Sequence, residues 1–388
     1  MSETSDFIDA IVGPWRELAA VVETDMAFGP EPVRTEGLRF LTRHLVAGLS
    51  MTLEADPAFP QFVRFADPTC SWGVNNPDGN YAFLAVDGAA TYRVTGNLGT
   101  APHVDFQVHA PSFIEAPDYR VVHTRRRRDL TTGPDGEFEM IISATEHPGN
   151  WLPLTPEAES IVMRQFFEDW EGQRPARLAV ERVDAAYPPP PLSPEFVAAR
   201  VAQLARWQTK AGVYWHSMCK MSFDAGDNNL VFQPPSFSDW GGHQGQSYGF
   251  GNFRFGDGEA AVIEIDPPAS DYWAVQLGNR FWESLDWDRR QSSLNRSQMT
   301  LDADGRFRGV IALDDPGVAN WLDPAGNRWG SIMGRFIDPA ETPVATVTVV
   351  PLDALADVLP ADTPRVTPAE RDAALRRRAV AAQLRQGY

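Results

Sequence analysis

The strongest constraint on how this chain can fold is that it repeats itself. The stretch Asp314-Asp315-Pro316-Gly317-Val318-Ala319-Asn320-Trp321-Leu322-Asp323-Pro324-Ala325-Gly326 has a degraded copy earlier in the chain, His147-Pro148-Gly149-Asn150-Trp151-Leu152-Pro153-Leu154. Each Asn-Trp-Leu follows an Asp-Gly turn, Asp135-Gly136 or Asp304-Gly305. Each also precedes an apolar run with one arginine, Ile161-Val162-Met163-Arg164-Gln165-Phe166 or Ile332-Met333-Gly334-Arg335-Phe336. Trp151 to Arg164 is 13 positions and Trp321 to Arg335 is 14, so the chain reads as two copies of one unit. Its 388 residues allow this, because a single hydrophobic core rarely grows past about 250 to 300 residues.

The class expected is mainly β. The 32 prolines and 30 glycines favour many short strands over long helices. Apolar spacing predicts helices from Asp6 to about Glu23 and from about Glu31 to Glu54, the second with a stripe of Leu38, Leu41, Leu45, Leu49 and Leu53. Short strands begin near Gln61, with a hairpin signal at Asp87-Gly88 between Tyr81–Val86 and Thr91–Gly96. His103-Val104-Asp105-Phe106-Gln107-Val108-His109 alternates strictly, putting His103, Asp105, Gln107 and His109 on one strand face. Tyr187-Pro188-Pro189-Pro190-Pro191 is a stiff linker, and Ser193-Pro194-Glu195 opens a helix that Gly212 can close. In the second unit, the Ala260–Ile265 and Tyr272–Leu277 runs are matched with the Tyr81 and Thr91 strands of the first. Thr367-Pro368-Ala369-Glu370 is a capping box for a C-terminal helix. The predicted division is a helical lead at 1–60, a first unit at 61–185, a linker and helix at 186–215, a second unit at 216–350 and a helical tail at 351–388.

Composition excludes some partners. A net charge of −18 argues against nucleic acid or an anionic membrane, both of which are bound through Lys and Arg. The run Arg125 to Arg128 is read as a solvated loop or edge strand. Cys70 and Cys219 are too few for a disulfide framework. The acidic start Met1-Ser2-Glu3 is unlike a signal peptide, and no apolar run approaches the ~20 residues of a membrane helix. A soluble cytoplasmic protein is expected, with homo-oligomerisation left open.

Several motifs invite a chemical reading. Gly245-Gln246-Ser247-Tyr248-Gly249 fits the pattern of a nucleophile elbow, but no histidine follows Ser247 to complete a triad. The adjoining Gly241-Gly242-His243 is read as a loop carrying one polar ring. His103, Asp105 and His109 could ligate a metal from one strand face, but a third imidazole at suitable spacing is missing, so a solvated face is preferred and no metal is assigned. The two Asn-Trp-Leu loops read first as structural staples. In the second copy Asp315, Asn320, Asp323 and Arg335 surround Trp321 and could orient a substrate or act as acid or base; a structural salt bridge is an equal alternative. Tyr248, Trp273, Gln276, Trp282, Asn295 and Trp321 are the candidate substrate-binding side chains, in a region dense enough in aromatics to wall a pocket.

Asp257-Gly258-Glu259-Ala260, Asp271-Tyr272-Trp273-Ala274-Val275-Gln276-Leu277, Ser293-Leu294-Asn295, Asp304-Gly305, Asp315-Pro316-Gly317, Asn320-Trp321-Leu322-Asp323 and Arg335 together resemble the bacterial domain-of-unknown-function family 1214, over about residues 235 to 340. The resemblance implies a jelly-roll-like antiparallel β-sandwich, often preceded by a second β domain. Asn327 follows Gly326 where relatives are expected to carry histidine, so no catalytic imidazole is assigned to this loop. The fold expected is therefore two jelly-roll-like β-sandwich units in pseudo-repeat, with helices at the N-terminus, the linker and the C-terminus. The function expected is that of a cofactor-independent hydrolase, lyase or isomerase of a small apolar or aromatic metabolite. A non-catalytic binder of a carbohydrate or small metabolite, or a structural assembly module, is the alternative.

Overall fold

The computed structural model describes residues 3–25, 31–111, 120–236 and 242–387; Met1, Ser2 and Gly241 of the motifs above lie outside them. The helices are α1 (Glu3–Asp25), α2 (Val33–Thr52), α3 (Pro194–Asp224), the short α4 (Leu355–Val358) and α5 (Pro368–Gln386). Before α3 come β1 (Val63–Ala66), β2 (Gly79–Ala85), β3 (Tyr92–Asn97), β4 (His103–Ala110), β5 (Arg120–Arg126), β6 (Glu137–Ser143), β7 (Trp151–Pro153), β8 (Ser160–Phe166) and β9 (Arg177–Arg182). After it come β10 (Asn229–Phe232), β11 (Gln246–Arg254), β12 (Glu259–Asp266), β13 (Tyr272–Gly278), β14 (Ser293–Asn295), β15 (Phe307–Ile311), β16 (Trp321–Leu322), β17 (Trp329–Ile337) and β18 (Val344–Pro351).

The duplication is complete at the level of topology. The first unit stacks a sheet β1-β2-β8-β4-β5 on a sheet β7-β6-β3-β9, and the second stacks β10-β11-β17-β13-β14 on β16-β15-β12-β18. Adding nine to each strand number of the first unit gives the second. Even the parallel pairings recur, β6 with β7 and β15 with β16, in otherwise antiparallel sheets. The strand correspondence predicted from sequence is one strand out of step: the Ala260 and Tyr272 runs match β3 and β4, and the counterpart of the Tyr81 strand is β11. Apolar content alone does not distinguish neighbouring strands; the hydrogen-bonded order does.

The Asn-Trp-Leu loops are the same staple built twice. The Asn150 side-chain amide donates to Thr131 and Glu139 carbonyls and its oxygen accepts from Thr131 N–H. Asn320 donates to Thr300 and Arg308 carbonyls and accepts from Thr300 N–H. Each tryptophan N–H donates to a carbonyl at the end of the preceding strand region, Ser143 or Ala312, and Leu152 and Leu322 are buried in their cores. An asparagine fits because one side chain supplies both donor and acceptor to backbone groups that no strand pairs.

Each sandwich has its own core. In the first, Val104, Phe106 and Val108 of β4 meet Tyr92, Val94 and Met140 of the facing sheet; in the second, Trp273, Val275 and Leu277 meet Ile263, Ile265 and Phe307. The outer faces of the two five-stranded sheets are buried as well, against each other and against α1 to α3. Phe166, Tyr272, Ala274 and Ile337 form one cluster at that seam. There Asp78 accepts from Tyr272 O–H, Asn295 and the Trp170 indole, linking both units through one carboxylate. On the far side α5 reaches across both, with Arg385 buried beneath Trp170 and Trp287, Arg378 donating to Ser293, and Arg371 bound to Asp315 and Gln291.

The packing of the sheets and helices corrects three expectations. The polar face of β4 is not solvated: Asp105, Gln107 and His109 are 0%, 1% and 0% exposed, because the second unit lies against it. The buried stripe of α2 is Phe40, Leu41, His44, Ala47, Gly48 and Met51, while Leu38 is exposed. Gly212 does not end α3, which runs on to Asp224; it lets α1 pass close, since a Cβ there would strike Leu18. The predicted Arg125–Arg128 edge holds Arg125 and Arg126 at the end of β5, an outer strand of its sheet, and Arg126 and Arg128 both pair with Asp338 of the second unit.

Candidate functional site

A cavity of about 320 Å³ opens where the two five-stranded sheets meet the second half of α3. That volume suits a ligand of one or two rings. Its walls are apolar: Trp72 and Trp215 meet edge-on at 5.6 Å, and Phe250 stacks on Trp282 at 6.0 Å. Met218, Met221 and Met333 fill between the rings. Helix α3 contributes Tyr214, Trp215, Met218 and Met221 because positions three and four apart share a helix face. Trp282 has a backbone φ of +59°, a left-handed conformation that bulky residues rarely adopt. Asn279 holds it there, its side-chain oxygen accepting from the N–H groups of Phe281 and Glu283.

The polar groups come from equivalent positions of the two units. In the first, Tyr81 of β2 stands opposite Arg164 of β8, and Gln107 of β4 bonds the arginine. In the second, Tyr248 of β11 stands opposite Arg335 of β17, and Gln276 of β13 bonds that arginine. The tyrosine oxygens accept from the backbone N–H five residues earlier, Asn76 in one case and His243 in the other, both at 2.9 Å. The glutamines cross the seam: Gln107 donates to Gly242 O and Gln276 to Asn75 O, each carbonyl six residues before the other unit's tyrosine. The whole arrangement is a pseudo-two-fold site, with the loops Val74–Asn76 and Gly242–His243 exchanged between units.

The two halves differ in charge. Opposite Arg164 in the next strand is Asp105, with a carboxylate oxygen 3.9 Å from the guanidinium; opposite Arg335 is Ala274. Arg335 is 5% exposed and also donates to Val74 O, and among the described residues no carboxylate lies within 4.0 Å of it. Asp105 is fully buried, neither oxygen has a hydrogen-bond partner among the described residues, and burial pushes its carboxyl up to about 6 despite Arg164 and Arg126 nearby. His243, 3% exposed rather than on an open loop, lies 3.9 Å from the same carboxylate; burial and the nearby arginines hold it well below the usual imidazole range, so it is neutral. Gln246 also lines the cavity, fully buried, with neither side-chain amide atom partnered among the described residues.

Of the residues singled out from sequence, Arg335, Tyr248 and Trp282 line this cavity and Gln276 holds Arg335. The others stand elsewhere. Asp315 pairs with Arg371 and turns the chain at Gly317; Asp323 pairs with Arg290 and caps Ala325 N–H; Asn320 is the staple described above. Trp321 packs beneath Arg371 and Trp273 is a core ring stacked on Phe336, while Asn295 bonds Asp78 at the seam. Trp321 and Arg335 are close in sequence, but Trp321 belongs to β16 of the four-stranded sheet and Arg335 to β17 of the five-stranded sheet, on opposite layers of the sandwich. Ser247 points away from the cavity, its hydroxyl donating to Gln233 O, and it sits within a strand rather than at a strand-to-helix turn. Sequence reading missed Tyr81, Arg164, Trp72 and the α3 side chains as site residues. Arg164 was visible as the repeat partner of Arg335, and Tyr81 as that of Tyr248 once β2 is matched to β11. Among the described residues no group of three or more His, Cys, Asp or Glu side chains is placed to hold a metal, His103, Asp105 and His109 included.

The chain is similar over nearly its whole length to an uncharacterized protein of Burkholderia cenocepacia: 32% identity, 90% of this chain and 97% of that one covered, TM-score 0.82. A Vibrio parahaemolyticus protein, VPA0106, is 13% identical over 71% of this chain and 90% of its own, with a TM-score of 0.41, too low to argue from. No curated protein matches the chain. The family described as protein of unknown function DUF1214 matches residues 78–168, from the start of β2 to just beyond β8. That is the first unit, not the second as the motifs suggested; because the Asp-Gly turn, Asn-Trp-Leu and arginine occur in both copies, either could carry the resemblance. The chain belongs to the DUF1214 family of proteins of unknown function.

Proposed function

We propose that this protein binds a small organic anion with an apolar, ring-bearing body, seating the body among Trp72, Trp215, Phe250 and Trp282 and the acidic group on Arg335. The observation that carries the reading is Arg335 itself, a buried guanidinium in an aromatic cavity with only an amide and a backbone carbonyl as partners among the described residues. Buried charges are paired in folded proteins, and a guanidinium matches a carboxylate in shape and donors. Recognition is better supported than chemistry, because the described lining offers no carboxylate, imidazole or thiol to act as base or nucleophile. Turnover by a hydrolase, lyase or isomerase mechanism is the second reading, favoured by Asp105, a carboxyl held at about 6 behind Arg164. A cytoplasmic setting fits the two buried free cysteines, and no described helix is long and apolar enough to cross a membrane.

The test is calorimetric titration and thermal shift with naphthalene-2-carboxylate against the uncharged naphthalene-2-carboxamide. The carboxylate is expected to bind and raise the melting temperature, with the amide at least about tenfold weaker. Equal binding of both would remove the role of Arg335. Conversion of a bound acid or its ester, abolished in Asp105→Asn, would move the weight to the enzyme.

A further inference from the structure

We propose that Asp105 sets the ligand's charge: it occupies one of two equivalent anion positions from within, so that the site takes a single acidic group at Arg335 and rejects a second at Arg164. The inference rests on the anion-binding reading of the cavity and adds to it the class of ligand, a monoanion rather than a dianion.

The duplication supplies the argument. Three polar elements of the Arg335 half have counterparts in the Arg164 half: tyrosine opposite arginine, glutamine on the arginine, and a crossing bond from that glutamine to the other unit's loop. A site built this way from two equal halves would present two guanidinium groups to one cavity and would favour a ligand acidic at both ends. The equality of charge is broken beside the arginines, where β4 carries Asp105 and β13 carries Ala274, each directly opposite its arginine. Asp105 stands directly opposite Arg164 with a carboxylate oxygen 3.9 Å from the guanidinium, and among the described residues neither oxygen makes a hydrogen bond of normal geometry. A buried carboxylate beside a guanidinium neutralises the field that a ligand anion would seek there, and a second ligand carboxylate would meet it as a like charge. Burial raises the pKa of Asp105 to about 6 against the opposing pull of Arg164 and Arg126, so at the pH 8 of the test below it is ionised.

The experiment compares naphthalene-2-carboxylate with naphthalene-2,6-dicarboxylate and benzene-1,4-dicarboxylate at pH 8, by calorimetry on the full chain. In the wild type the monocarboxylate is expected to bind at least about tenfold more tightly than either dicarboxylate. Asp105→Asn, nearly isosteric, is expected to improve a dicarboxylate about tenfold while changing the monocarboxylate less than about threefold. Ala274→Asp is expected to weaken the monocarboxylate at least about tenfold; should it fail to fold, Asp105→Asn decides alone. If the wild type binds the monocarboxylate but Asp105→Asn leaves the mono-to-dicarboxylate ratio unchanged, the assignment of Asp105 falls and the anion site stands. If none of the three probes binds the wild type, the anion site falls and this assignment with it.

Discussion

The Tyr81–Arg164–Gln107 and Tyr248–Arg335–Gln276 clusters are built from equivalent strands with equivalent bonds, yet among the described residues only the first has a carboxylate beside its arginine. The difference teaches which positions of the duplicated fold are held alike and which are free to diverge. Staples and strand order, which close each sandwich, and the glutamines that cross between the units are the same in both copies. At the position opposite the arginine the copies differ by a full charge, Asp105 against Ala274.

The largest effect expected is the one that separates the two arginines. Arg335→Met should weaken binding of naphthalene-2-carboxylate by about 100-fold, whereas Arg164→Met, whose charge Asp105 already offsets, should cost less than about tenfold. Calorimetry on both variants, with circular dichroism to verify folding, checks this; equal losses would erase the distinction drawn here.

The same asymmetry predicts a pH dependence of stability. The folded carboxyl of Asp105 titrates at about 6, above its value of about 3.9 in an unfolded chain, so between these the folded state holds a proton that the unfolded state has released. Its contribution therefore favours folding at low pH and is lost as pH rises through about 6. Asp105→Asn should match the wild type near pH 4 and exceed it at pH 7.5 by up to about 3 kcal/mol in urea unfolding. The same stability difference at both pH values would count against a strained, ionised Asp105.

Smaller effects are expected where the copies are alike. Asn320→Ala and Asn150→Ala each remove three hydrogen bonds, but Asn320 is 6% exposed and Asn150 half-buried, so the first should cost about 3 kcal/mol and the second about 1 to 2. An equal or larger loss at Asn150 would show that burial does not set the load each staple bears. Smallest is Ser247→Ala, which removes one bond to Gln233 O and should cost about 1 kcal/mol with no change in ligand affinity. A loss of binding there would bring the Gly-x-Ser-x-Gly stretch back into the site.

Much of the architecture was legible because it is written twice in local signals. In the Asp135-Gly136 and Asp304-Gly305 turns the glycines adopt a positive φ that only glycine supplies cheaply, and Ser193 and Thr367 cap α3 and α5 through their own side chains. The site was legible only in fragments. Arg335, Tyr248 and Trp282 stood out as charge and aromatics in an apolar stretch, but their companions did not, because Tyr81 and Arg164 belong to the other unit and Trp215 to a helix. Asp315 and Asp323 drew attention for the charge they add beside Trp321, and that charge is spent on Arg371 and Arg290.

The sequence by itself determined the two-fold repetition, the β class and the turns, since periodicity, glycine and asparagine act over a few residues. Only the tertiary structure decided that the polar face of β4 is buried rather than wet. The alternation of His103, Asp105, Gln107 and His109 is the same in either case, and what removes the water is a second sheet more than a hundred residues further along the chain. Strand pairing within each unit sets Asp105 opposite Arg164 and Ala274 opposite Arg335; the packing of the units buries both pairs and encloses the two arginines in aromatic side chains from both units and a helix.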